Sequence, residues 1–205
     1  MPPSAKQAYF NQIAPLWDTF PSPEDTESRI RRLVEQFTDG PAAGWILDAG
    51  CGTGILLPAL LERHPCPSRV LELDFALDML RVNASKNPAR RRVRFTCADV
   101  QRLPFPDASF ALVACFGLFP HLADQQAALR EFLRVLQPGG VVAIAHLMAS
   151  HELNAFHAGV NGPVSGDYLP PADEVARRLA ELGATGIRAS ESPGLYLVRA
   201  ARPRS

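Results

Sequence analysis

Apolar positions along the chain follow two rhythms, one of period near 3.6 and one of short continuous runs, and their order predicts the elements. In residues 4–20, Tyr9, Phe10, Ile13 and Trp17 lie on one side of a short helical pattern that stops at Pro21-Ser22-Pro23. Ile30, Leu33, Val34 and Phe37 recur at the i, i+3, i+4, i+7 spacing of a second helix with one buried stripe, closed by Gly40-Pro41. From there strands alternate with helices. Apolar runs predict strands at 45–47, 69–73, 93–97, 110–115 and 141–146, and helices fall at 55–63, 76–85 and 124–136, the last with Asp124 as N-cap. Residues 149–171, rich in Gly, Pro, His and Asn, read as irregular; 172–182 returns as a helix with Gly183 suited to its C-cap. Two closing strands, 186–189 and 195–200, fit a hairpin around Ser192-Pro193-Gly194. Such alternation implies right-handed crossovers and a mainly parallel sheet covered on both faces, an α/β fold. Ligands then belong at the carboxyl ends of the strands, in the loops after Leu47, Leu73, Cys97, Cys115 and His146.

Length and charge narrow the picture. At 205 residues the chain suits one domain, 1–205, with residues 1–40 as a helical lid and 149–171 as a substrate-side insertion. Lys plus Arg and Asp plus Glu are 21 each, so the basic field of a phosphate-tracking nucleic-acid binder is lacking; Arg90-Arg91-Arg92 reads as a solvated turn. Cys51, Cys66, Cys97 and Cys115 form no CxxC pair and follow no secretory leader, which points to reduced thiols in a cytoplasm; Cys97 and Cys115 read as small core residues. No apolar run is long enough to span a bilayer. The expectation is a protein without membrane or nucleic-acid partners, a monomer or homodimer acting on a small molecule.

Between the first strand and its helix lies Asp48-Ala49-Gly50-Cys51-Gly52-Thr53-Gly54. Glycines at 50, 52 and 54 permit a tight turn, close approach of backbone to a ligand, and amides presented at a helix start. The dinucleotide fingerprint GxGxxG is not met, because Ile55 holds the last glycine position and Gly54 comes one residue early. The loop resembles motif I of the class I S-adenosylmethionine (SAM)-dependent methyltransferases, in their small-molecule "methyltransferase type 11"-like branch. Further motifs of that family follow in order: Leu71-Glu72-Leu73-Asp74 with Met79-Leu80, Cys97-Ala98-Asp99-Val100 with Leu103-Pro104-Phe105, and Leu136-Gln137-Pro138-Gly139-Gly140. The resemblance implies a Rossmann-like doubly wound sheet of seven strands ordered 3-2-1-4-5-7-6, mostly parallel with the last strand antiparallel, and SAM as cofactor. It further implies that Asp74 binds the ribose hydroxyls, that Asp99 and the Val100 amide read the adenine, and that Asp48 helps place the amino-acid end. Gly50, Cys51, Gly52, Gly54, Phe75, Met79 and Cys115 complete the implied cofactor set. A carboxylate suits a vicinal diol because it accepts two hydrogen bonds at once.

On the acceptor side, Cys115-Phe116-Gly117-Leu118-Phe119-Pro120-His121 lacks the Asn/Asp-Pro-Pro-aromatic motif that serves exocyclic amines. Phe116 suits an apolar pocket wall, and Phe119 suits either that wall or the core. His121 and His146 follow the fourth and fifth strands and are the candidate catalytic residues; His151 and His157 lie just beyond, all four able to reach one mouth. They read as base, as pocket lining or solvated loop, or as ligands of a transition metal or a metal-bearing substrate; the spacing matches no zinc signature, and no resident metal is assigned. Tyr9 and Trp17 are candidate lid residues, Trp17 either covering the cofactor or joining the two N-terminal helices. The long segment after the fourth strand that marks menaquinone and ubiquinone methyltransferases is not found. The expected reaction is methyl transfer to a small, partly apolar acceptor. Alternatives are methylation of a thiol, aminopropyl transfer, and a SAM-binding regulatory or assembly module without catalysis of its own.

Overall fold

A computed structural model describes residues 4–20, 23–37, 44–64, 68–87 and 91–204. Cys66, Arg90, Pro21-Ser22 and Gly40-Pro41 lie outside the described residues. Its centre is a seven-stranded sheet: β1 (Trp45–Ala49), β2 (Arg69–Asp74), β3 (Val93–Cys97), β4 (Phe110–Phe116), β5 (Leu136–His146), β6 (Thr185–Ser192) and β7 (Leu195–Ala201). The spatial order is β3-β2-β1-β4-β5-β7-β6, parallel except that β7 runs antiparallel to both β5 and β6. The order 3-2-1-4-5-7-6 is therefore the one found.

The faces are covered as the sequence pattern requires. On one, α2 (Thr26–Val34) and α3 (Leu57–Arg63) bury Ile30, Leu33, Val34 and Phe37 against Ile46, Leu112 and Ala143. On the other, α5 (Gln125–Val135) and α7 (Ala172–Glu181) bury Leu129, Phe132, Val175 and Leu179 against Leu47, Val113 and Ile144. Asp124 caps α5 by accepting from the Ala127 amide at 2.8 Å. A third cluster joins α1 (Ala5–Ile13) to α4 (Leu77–Lys86) through Phe10, Ala14 and Met79.

Several elements differ from the sequence expectation. The N-terminal helix is two pieces, α1 and a 3-10 turn over Ala14–Thr19, because Pro15 has no N–H to continue the α ladder. Strand β5 begins at Leu136 and absorbs the Pro138-Gly139-Gly140 turn, with a register shift opposite Phe110 and Leu112. The final hairpin is longer than expected, closing Ser192 on Leu195 across Pro193-Gly194. Residues 149–171 are not irregular throughout: α6 (Ser150–Gly159) forms because Glu152 accepts from the Ala149 amide at 2.7 Å and the Gly194 amide at 3.0 Å, docking its first turn on the hairpin. Cys97 is exposed, not core, since it ends the edge strand β3. Arg92 is not a solvated turn residue; it donates to the Ser68 carbonyl at 2.8 Å and to that of His64. Among the described residues no helix is long and apolar enough to cross a membrane.

Candidate functional site

Strands β1, β2 and β4 end around one cavity of about 270 Å³. Its floor is the glycine loop. The Gly50 and Cys51 amides both donate to the Leu73 carbonyl, at 2.8 and 2.9 Å, and the Gly54 amide donates to the Cys51 carbonyl at 2.9 Å. The Gly52 amide donates to Asp74 Oδ2 at 2.9 Å. Four loop amides are thus spent on the protein itself, so the loop is no anion nest for a pyrophosphate, and α3 starts only at Leu57. Gly50 (φ +74°) and Gly54 (φ +89°) occupy the left-handed region, and a Cβ would stand 2.7 Å from Leu118 and 2.3 Å from Asn83 Oδ1 respectively.

Asp74, at the end of β2, lines the cavity with 7% of its surface exposed. Its other oxygen, Oδ1, accepts from the Ala76 amide at 2.8 Å. A carboxylate offers about four acceptor sites against the three amides that face this one, which leaves it able to accept from a ligand hydroxyl. Burial raises its pKa, against the opposing effects of the Ala76, Gly52 and Phe75 amides and of His121. Asp48 and Glu72 sit side by side in the β1–β2 register, both buried. Burial first, then the charges of Glu72 and Asp74, push the Asp48 pKa well up, and among the described residues Asp48 Oδ2 has no hydrogen-bond partner. Asp48 does not itself reach the cavity wall, which bears on any direct contact with a cofactor.

Phe75, Met79, Asp99 and Val100 line the same cavity, with Asp99 Oδ1 accepting from the Gln101 amide at 2.9 Å. Cys51 also lines it; burial and the three acids hold its thiol well above the usual range, so it is no nucleophile there. Cys115 lies in the core beneath the site, fully buried, and burial raises its thiol pKa. Phe119 is likewise core.

The opposite wall is apolar. Phe116 at the end of β4 and Leu118 just beyond it line it, and Phe10 and Trp17 cover it from the N-terminal segment. Trp17 is 37% exposed at the rim, its ring 6.0 Å from that of Phe10; it does not join the two N-terminal helices as a buried aromatic. Tyr9 packs on Phe10 outside the cavity. Polar bonds hold this segment down, among them Lys6 to Asp167 and to the His121 carbonyl, Gln7 to the Phe75 carbonyl, Asn11 to the Asp78 amide, and Asp18 to Thr53 and Lys86.

The histidines separate. His121 lines the cavity and pairs through Nδ1 with Asp167 Oδ2 at 2.5 Å. His157 is buried behind it, ring centroids 5.2 Å apart, with Nδ1 3.1 Å from the Asp167 carbonyl. His146 is buried against Tyr196 away from the cavity wall, and burial, followed by His121 and His157, brings its pKa down to about 3. His151 is exposed. The structure therefore does not bring all four to one mouth, and His146 is not positioned to touch a substrate. Among the described residues no group of three or more His, Cys, Asp or Glu is disposed to hold a metal. Asp167 and Lys6 were missed by sequence reasoning, since neither belongs to a periodic pattern or motif.

Comparison with known proteins decides the family. The family described as "Methyltransferase domain" matches residues 47–144. A demethylmenaquinone methyltransferase of Deinococcus radiodurans is 33% identical over 208 residues, 90% of this chain and 85% of that protein. The chain belongs to the class I SAM-dependent methyltransferases. A second relative of this family, a demethylmenaquinone methyltransferase of Thermus thermophilus, is 40% identical over 139 residues; the alignment takes in 66% of this chain and spans only 62% of the relative's length. In fold, a SAM-dependent methyltransferase of Aquifex aeolicus superposes with a TM-score of 0.70 at 19% identity, covering 92% of this chain and 98% of that one. The [4+2]-cyclase SpnF gives 0.77 at 18%, covering 99% and 97%. At such identities the likeness is one of fold, and the site must carry the function. The residues present fit the methyltransferase cofactor: four glycine-loop amides are bonded within the protein, and Asp74, Asp99 and Val100 line the same cavity at the ends of neighbouring strands.

Proposed function

We propose that the chain transfers the methyl group of SAM to a ring carbon of a small aromatic acceptor carrying an ionisable hydroxyl, a hydroquinone, in the cytoplasm. The observation that carries this reading is the single cavity in which a glycine loop and Asp74 stand on one side and an aromatic wall with one carboxylate-held imidazole, His121, on the other. The names of the relatives, demethylmenaquinone methyltransferases, support the acceptor class. The free thiols Cys51, Cys97 and Cys115 suit a reducing compartment.

When bound, SAM supplies an electrophilic methyl group on sulfur together with a thioether that leaves with the electron pair of the broken bond. Asp74 holds the ribose diol, Asp99 and the Val100 amide the adenine, and Met79 and Phe75 pack beside them. Phe10, Leu118 and Phe116 align the acceptor ring and exclude water, which is most of what an in-line displacement needs. A neutral hydroxyl donates too little electron density to its ring, so a base is required. His121 supplies it: with Nδ1–H committed to Asp167, Nε2 is left to take the hydroxyl proton. The ring carbon beside that oxygen would then take the methyl group, its own proton would pass to water as aromaticity is restored, and His121 would return its proton to the hydroxyl oxygen.

The test is incubation of the chain with SAM and 1,4-naphthohydroquinone under reducing conditions, followed by mass spectrometry. A product heavier by one CH2, a methyl group in place of a ring hydrogen, formed only with both partners present, supports the reading. Recovery of unmodified acceptor under saturating SAM removes it.

A further inference from the structure

We propose that Asp167 is the positioning residue of the base His121, and that Lys6, carried on the lid helix α1, completes the arrangement, so that the base is set only when the lid is docked. This rests on the reading of His121 as base. Three elements meet at the point in question: His121 in the 3-10 turn after β4, Asp167 in the segment after α6, and Lys6 in the first turn of α1. Asp167 Oδ2 accepts from His121 Nδ1 at 2.5 Å and Oδ1 accepts from Lys6 Nζ at 2.5 Å. Lys6 Nζ also donates to the His121 carbonyl at 2.9 Å. Both carboxylate oxygens are engaged, and the lysine grips both members of the pair.

Exposure separates this arrangement from a surface ion pair, which contributes little. The Asp167 side chain is 6% exposed and that of His121 15%. Burial works against the Asp167 charge, but the hydrogen bonds from His121 and Lys6 outweigh it and hold its pKa below the usual carboxylate value. A buried carboxylate facing Nδ1 selects the tautomer with the proton on Nδ1 and the lone pair on Nε2, the division of labour seen in hydrolase triads. The Phe10 ring, centroid 5.3 Å from that of His121, meets it edge-on and limits its rotation from the lid side. When α1 lifts, Asp167 loses the Lys6 cation and His121 loses both the Phe10 ring and its backbone tie.

The experiment uses the full chain labelled with 15N-histidine and saturated with S-adenosylhomocysteine, together with turnover of 1,4-naphthohydroquinone. In the wild type, two-bond 1H–15N correlations are expected to show His121 as the Nδ1–H tautomer. Asp167→Asn, whose amide can donate to Nδ1, is expected to convert most of it to Nε2–H and to lower kcat by about 100-fold, with KM held within about threefold. Asp167→Ser, a smaller replacement, is expected to move the tautomer the same way and serves if the Asn variant does not fold. Lys6→Met is expected to lower kcat about tenfold, and Lys6→Arg to restore most of it. An unchanged His121 tautomer in both Asp167 variants overturns the inference whatever the turnover. A tautomer that moves in a wild type and variant series that never methylates the hydroquinone sustains the positioning role and removes the acceptor reading instead.

Discussion

Three carboxylates share the space under one glycine loop: Asp48 and Glu72 paired across β1 and β2, and Asp74 two residues further along β2. Asn83 Nδ2 donates to Glu72 Oε2 at 2.6 Å from α4, and Asp74 is held by two amides. Residues this buried have little freedom to substitute for one another. Asp74→Asn keeps the shape but has one acceptor oxygen where two are used, and its NH2 faces an amide donor. Affinity for S-adenosylhomocysteine is expected to fall about 10- to 100-fold by titration calorimetry, the loss of one charge-assisted bond or a little more. An affinity within threefold of wild type would remove Asp74 from the cofactor site. The same crowding governs Gly54, where a methyl group would meet the Asn83 side chain in a backbone conformation that L residues avoid. Gly54→Ala is expected to cost about 2 kcal/mol or more in urea unfolding, and a change below about 0.5 kcal/mol would mean that Asn83 moves aside freely.

At the scale of elements, the N-terminal segment behaves as a strap with polar fastenings at both ends. Asp18 accepts from Thr53 Oγ1 of the glycine loop at 2.6 Å and pairs with Lys86 of α4 at 2.7 Å. Asn11 Oδ1 accepts the Asp78 amide at 2.9 Å, satisfying one of the free donors at the start of α4. Removing one fastening leaves the cavity intact but loosens its cover. Asp18→Ala is expected to speed release of S-adenosylhomocysteine about threefold to tenfold in stopped-flow fluorescence of Trp17, which sits at the rim, with a smaller change in the association rate. An unchanged release rate would show that the strap does not gate the cofactor. Helix α6 was hidden from the pattern because its residues carry only a weak apolar stripe. It is fixed by Glu152, whose partner Gly194 lies 42 residues away in the hairpin turn.

At the scale of the whole molecule, the sheet order brings the ends of β1, β2 and β4 to one cavity and sends β5 past it, leaving His146 in the interior against Tyr196. That burial has a measurable cost. The folded pKa of His146 is about 3, while the unfolded chain's histidine titrates near 6.5. Below about pH 6.5 the unfolded state binds a proton that the folded state refuses, so this residue's share of stability is intact above pH 6.5 and is lost as pH falls toward 3. Asp48 and Asp74 act in the opposite sense: their raised pKa values let the folded state take up protons before the unfolded state does. The contribution of His146 is isolated by a variant. Between pH 7 and 5, His146→Phe is expected to lose about 2 kcal/mol less unfolding free energy than the wild type, read from urea midpoints at the two pH values. Equal losses would mean that His146 is reached by protons in the folded state.

The sequence alone determined the alternation of strands and helices, the seven-stranded order implied by its motifs, and the position of the glycine loop with Asp74 and Asp99 after their strands. The alternation and the glycine loop follow from spacing over a few residues, because backbone periodicity and a turn's need for glycine are local properties, whereas the strand order came from the family resemblance of the motifs. Tertiary structure alone decided which histidine faces the cavity. His121 lies in the turn beyond β4 and His146 ends the neighbouring β5, and one lines the cavity while the other is packed against β7. The partners of His121 lie 46 residues later and 115 residues earlier, in segments with no motif. A buried ion pair leaves no periodic trace in a sequence; it depends on three elements arriving at one point, and that is fixed by how α1, the segment after α6 and the sheet pack together.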